Sequence, residues 1–128
     1  MTNATGKPVS TPAAELASRF RTDLKRAMQA RDREQVDLLR VLIAAIDNAG
    51  AVTADVKMQR SLQARFGDGS SEITRREPDA AELTQLLVSE ITARRDAVQA
   101  YIEGGHIAEA EKLEREVDMI ARYLAPAD

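Results

Sequence analysis

Leu16, Phe20, Leu24 and Met28 recur every four residues, and that spacing puts them on one stripe of a helix. The same periodicity returns three more times, which points to packed helices. The helix start is marked by Thr11-Pro12, a hydroxyl N-cap followed by a proline whose missing N–H is no loss in the first turn. Asp32 caps a second helix, with Gln35 three residues on in a capping-box pattern, and Val36, Leu39, Leu42, Ile43 and Ile46 form its buried face. Asn48-Ala49-Gly50 supplies its stop. Pro78 opens a third helix with Leu83, Leu87, Ile91, Val98 and Tyr101 on its stripe, and Gly104-Gly105 ends it. Ile107, Ala110, Leu113, Val117, Ile120 and Leu124 follow at steps of three and four, nearly a heptad seam, up to a stop at Pro126.

No alternating β-branched run competes, so the expected fold is all-α: a bundle of two helical hairpins, about four main helices. A looser connection separates the hairpins at 51–77. There Val52, Val56, Leu62 and Phe66 allow a short amphipathic helix before the breaker Gly67-Asp68-Gly69-Ser70-Ser71. The expected organisation is a disordered start over 1–10 and a single domain over 11–126.

Composition closes off most catalytic chemistry. The 128 residues contain no Cys, which removes disulfides, thiolate nucleophiles and Cys-based zinc or iron–sulfur sites. One His leaves no imidazole set for a metal or a triad. That residue, His106, stands at a helix–helix turn and reads as a capping or solvated side chain. Glu111 and Glu114 could share a metal in a bundle only with Glu-x-x-His partners, and there are none, so the run Glu109, Glu111, Glu114, Glu116 and Asp118 reads as a solvated acidic face. Gly69-Ser70-Ser71 lacks the Gly-rich surround and Lys partner of a serine amidase loop. No catalytic residue, metal or cofactor is expected. The longest apolar run, Val41 to Ile46, is far short of a membrane span, and Met1 to Ser10 has no apolar core for a signal peptide, so a cytoplasmic protein is expected.

The net charge of −3 conceals an asymmetry: residues 1–76 sum to +4 and residues 77–128 to −7. The halves therefore either pair with each other or face different partners. Arg40, lying between Leu39 and Val41, must snorkel or find a carboxylate; Glu90 or Asp96 on the third helix is a reasonable partner, and an arginine held ready for phosphate is the alternative. Glu90 also stands four residues before Arg94, a favourable helical pair.

Asp23 to Asp32 and Leu38 to Asn48 resemble the opening of the GatB/YqeY family. Glu90-Ile-Thr-Ala-Arg-Arg-Asp-Ala-Val-Gln-Ala-Tyr101 is similar to its E-I-x-x-R-R-D-x-x-x-x-[FY] pattern, and Gly105 with Ala110 to Leu124 continues in register. The resemblance covers most of residues 16–126. It implies a bacterial helical module related to the C-terminal appendage of the B subunit of tRNA-dependent amidotransferases. Those are carbon–nitrogen ligases with glutamine as amido donor, whose chemistry resides elsewhere in the enzyme. The resemblance thus implies a non-catalytic module with tRNA, or a tRNA-linked enzyme, as partner. Lys25, Arg26, Arg33, Arg94 and Arg95 are the candidate phosphate contacts. Two departures accompany it: an Ala stands before Pro126, and the family's smaller C-terminal helical tail is absent from the sequence. The alternative is a protein–protein interaction module without nucleic acid, which the scarcity of aromatic stacking platforms favours.

Overall fold

The computed structural model describes the backbone of residues 10–64 and 76–124, and the side chains of 10–51 and 76–124. Four helices follow one another with no strand among the described residues: α1 (Pro12–Ala30), α2 (Arg33–Ala64), α3 (Ala80–Glu103) and α4 (Ile107–Leu124). They pack mainly as α1 against α2 and α3 against α4, the two hairpins expected. Thr11 caps α1 as the sequence indicates: its hydroxyl accepts from the Ala14 N–H at 3.1 Å and donates to Glu77 at 2.7 Å. Asp32 accepts from the Gln35 N–H at 3.2 Å to start α2. At α3 the cap lies later than Pro78. Asp79 and Glu82 form a full capping box at 2.8 Å in each direction, so the aspartate sets the start and the buried Pro78 precedes it.

Both hairpins turn by the same device. After α1, the Arg31 N–H bonds to the Met28 carbonyl and the Asp32 N–H to that of Ala27. After α3, the Gly105 N–H bonds to Ile102 and the His106 N–H to Tyr101. This is the Schellman pattern, which needs one left-handed residue. Gly105 supplies it at φ 81° without cost, whereas Arg31 does so at φ 59° with a side chain attached.

The second helix departs from expectation. Asn48-Ala49-Gly50 does not end it; α2 runs on to Ala64 and takes in the first half of the segment expected to be loose. Glycine lowers helix stability by about 1 kcal/mol relative to alanine but keeps its N–H, so it ends a helix only where the chain takes the left-handed turn. Gly50 is buried and stays helical. Phe66, the breaker at 67–71 and Pro126 lie outside the described residues, as do residues 1–9 of the N-terminal stretch.

The core draws on all four helices. Phe20, Leu39, Leu42 and Ile120 are its largest fully buried side chains, joined by Leu16, Leu38, Leu83, Leu87, Ile91 and Val117. The stripe on α1 drifts, because steps of four residues overshoot a full turn by about 40° each. Leu24 is consequently only partly buried, Met28 is exposed, and Ala27 takes the inward place. The ends of the other stripes emerge as well: Tyr101, Ile107 and Leu124 are exposed around well-buried centres.

Candidate functional site

The cations of the first hairpin are distributed on its outer surface. Arg19, Arg21, Lys25 and Arg26 occupy exposed positions on α1, and Arg31, Arg33 and Arg40 continue along the turn and the start of α2. Among the described residues none of these except Arg26 takes part in an ion pair, and Arg26 reaches only Asp23 at 3.9 Å with its own side chain 76% exposed. Among the described residues the one cation of the first half paired with an acid of the second is Arg76, with Glu82 at 2.7 Å, so contact between the halves consumes little of the charge asymmetry. The ion pair that joins the hairpins, Arg115 with Glu34 at 2.8 Å, runs against it, with the cation on the acidic half. It is bidentate, and the guanidinium holds the Glu34 carboxyl below its ordinary range.

A groove of about 370 Å³ lies where α1, the start of α2 and the end of α4 meet. Arg19, Arg26 and Arg122 line it, with Asp23 its one acid; Gln35 and Met119 stand beside them. The spacing 19–23–26 places these α1 side chains on one face, one and two turns apart. Tyr123 anchors the groove. Its hydroxyl donates to Asp23, its ring meets Phe20 edge-on at 4.7 Å, and the Arg19 guanidinium lies 4.9 Å from the ring centre. Burial, together with the Asp23 carboxylate, pushes the phenol well above its ordinary range. Asp23 thus has its charge covered by Tyr123 and Arg26, while Arg19 and Arg122 have no carboxylate partner among the described residues. Three guanidiniums against one carboxylate leave the lining at +2.

The candidate phosphate contacts separate into two groups. Lys25 lies beside Leu24 and Met28 on the outer face of α1, Arg26 is on the rim of the groove, and Arg33 and Arg95 are exposed at the start of α2 and on α3. Arg94 is different. Its Nη1 reaches Glu90 at 2.7 Å and its Nε reaches Glu116 at 2.8 Å, with only 14% of its side chain exposed. Burial alone lowers its pKa, but the bonds to Glu90 and Glu116 outweigh that and hold it above the ordinary value. Arg94 is a tie between α3 and α4, already neutralised, and leaves the set of phosphate contacts.

Two further expectations change. Glu90 is occupied by Arg94, and Arg40 makes no bond to it or to Asp96. Arg40 is exposed because the buried stripe of α2 passes through Leu38, Leu39, Leu42 and Ile46, so its charge stays in water and requires no partner. Glu116 does not belong to the solvated acidic face; Glu109, Glu111, Glu114 and Asp118 do. His106 stands at the turn as expected. Its carbonyl accepts from Ala110 at 3.1 Å, and its ring packs edge-on to Tyr101 at 6.0 Å. Sequence reasoning missed Arg19 and Arg122 as site residues. The 19–23–26 face was a legible signal; the approach of Arg122 and Tyr123, a hundred residues later, was not.

No described helix is long and apolar enough to cross a membrane. A family model described as Yqey-like protein matches residues 17–127, a span that includes the groove and both hairpins. No curated protein matches the chain.

Proposed function

Because the chain belongs to the YqeY-like family, we propose that it is a non-catalytic helical module that engages tRNA phosphates in the service of tRNA-dependent amidotransferases. Its place is then the cytoplasm, and the carbon–nitrogen ligase chemistry belongs to the partner enzyme. One observation carries the reading. The cations of α1 and the start of α2 stand exposed and are left uncompensated by the acidic second half. Arginines held in water without carboxylates contribute little to folding, and they are available to displace counterions from a phosphate backbone. Of the candidate contacts, Lys25, Arg26 and Arg33 belong to this surface, joined by Arg19 and Arg122, with Arg95 on α3 a more distant contact.

A salt-titrated gel shift or anisotropy measurement with bulk tRNA tests it. Binding that weakens steeply between about 50 and 200 mM salt supports the reading, and each neutralised cation lowers the slope by about one. No retention at 50 mM salt ends it. Co-purification with an amidotransferase, without tRNA retention, transfers the assignment to a protein-interaction module.

A further inference from the structure

The groove between α1, α2 and α4 carries more information than a general basic surface. We infer that it is a site for a terminal phosphate, a monoester dianion held between Arg19 of α1 and Arg122 of α4 with Arg26 at the rim. The inference deepens the tRNA reading by naming the group that enters the groove, and it rests on that reading only for the source of the phosphate.

Charge is the first reason. A phosphate monoester carries about −1.5 to −2 at neutral pH, and the groove lining sums to +2. A backbone diester, with one negative charge, would leave half of that uncompensated. The carboxylate present does not oppose the anion in full, because Asp23 already accepts the Tyr123 hydroxyl and faces Arg26. The adjoining hollow, where Asp32, Glu34 and Asp118 stand with Arg115 and Arg122, is acidic on balance, so an anion is disfavoured there and the groove is its place.

Shape is the second. A volume of about 370 Å³ holds a phosphate and the sugar behind it and is far too small for a duplex. Tyr123 offers no stacking platform, since Phe20 and Arg19 already cover its ring. Recognition is therefore of the phosphate and not of a base, and it is insensitive to sequence. Arg19 is also available to an anion, because its guanidinium rests 4.9 Å from the centre of the Tyr123 ring and its N–H donors have no acceptor among the described residues.

The terminal phosphate could be that of a nucleic-acid end or of a free small molecule, and the experiment separates them. Anisotropy of a labelled single-stranded RNA is compared with a 5′-phosphate and with a 5′-hydroxyl, in wild type and in the Arg19→Gln, Arg122→Gln and Lys112→Gln variants, Lys112 being an exposed cation of α4 outside the groove lining. Circular dichroism confirms that each remains folded. The expected result is about tenfold tighter binding of the phosphorylated end, lost in Arg19→Gln and in Arg122→Gln and kept in Lys112→Gln. Inorganic phosphate at constant ionic strength is then added as competitor. Erasure of the preference identifies the free anion as a sufficient ligand, and its persistence identifies the nucleic-acid end; either supports the site. Equal binding of the two ends in wild type, or a preference that survives both arginine substitutions, overturns it. Retention of tRNA without any end preference would overturn the site and leave the tRNA reading standing, whereas an end preference without tRNA retention would do the reverse.

Discussion

Arg94 donates its Nε to the Glu116 carboxylate at 2.8 Å, and with Nη1 on Glu90 at 2.7 Å the one guanidinium ties two turns of α3 to α4. Neither Arg94 nor Glu116 exposes more than 14% of its side chain, so the bond is shielded from water in a way that the surface pairs are not. Removing the cation strands two carboxylates close together. Arg94→Met is expected to destabilise the fold by about 2–3 kcal/mol, below the 3–5 typical of a fully buried pair. Glu116→Gln, which keeps an acceptor, is expected to cost about 1 kcal/mol. Urea unfolding with an unchanged slope reads both. Equal loss in the two variants would show that the Arg94–Glu116 bond itself, and not the stranding of the acids, determines the effect.

The two hairpin turns make an opposed pair of predictions. Arg31 occupies a left-handed position that costs an L residue about 1–2 kcal/mol, and part of the gain from glycine is returned through the unfolded chain's entropy. Arg31→Gly is therefore expected to stabilise by about 0.5–1 kcal/mol. At Gly105 the same reasoning runs backwards. Nothing crowds the position of an added Cβ, so the destabilisation of Gly105→Ala by about 1 kcal/mol arises from the backbone alone. Thermal or urea midpoints of the two variants should move in opposite directions.

These turns also show what could be read from the sequence. Thr11-Pro12, Asp32 and Gly104-Gly105 act locally, through side chains and backbone within one turn, as their spacing indicates, although Asp32 makes only half of the expected capping box, its own N–H being bonded to the Ala27 carbonyl and not to Gln35. The four-step stripes locate the core for the same reason, except where drift carries Met28 out and brings Ala27 in. Gly50 was ambiguous because glycine is compatible with both a stop and a continuing helix, and the choice depends on packing. The candidate groove was the least legible part. Arg26 is found from α1 alone, but Arg122 and Tyr123 reach it only once α4 has folded back over α1, a relationship that no local spacing encodes. Arg94 and Arg95 are adjacent in a single motif, yet the helix turns one inward to Glu116 and leaves the other in water.

Phe20 is fully buried behind the groove, in edge contact with Tyr123 of its lining. Phe20→Ala is expected to cost about 3–5 kcal/mol through lost burial and the cavity left behind. It should also loosen Tyr123, and with it the placement of Arg19. Phe20→Leu, which retains most of the volume, should cost less in stability while losing the aromatic edge contact. Comparing RNA affinity in the folded Leu variant with wild type tests whether the ring sets the arginine's position. Unchanged affinity would show that Arg19 does not depend on it.

Tyr123 gives the fold a pH dependence on the alkaline side. Burial, and then the hydrogen bond to Asp23, keep the phenol protonated in the folded chain well above the ordinary value of 10. The unfolded chain ionises that phenol near pH 10, so above it the folded state binds the extra proton. A folded pKa raised above the unfolded one gives stability that is complete below pH 10 and is lost as pH rises toward the folded value, at no more than about 1.4 kcal/mol per pH unit. Other groups also titrate in this range, and Tyr123→Phe removes the one at issue. The stability difference between wild type and Tyr123→Phe is expected to be constant between pH 7 and 9 and to shrink above pH 10. In a Tyr101→Phe background, tyrosinate absorbance at 295 nm should then rise only as the protein unfolds. Absorbance rising near pH 10 in the still-folded protein would show that the Asp23 bond does not hold the proton.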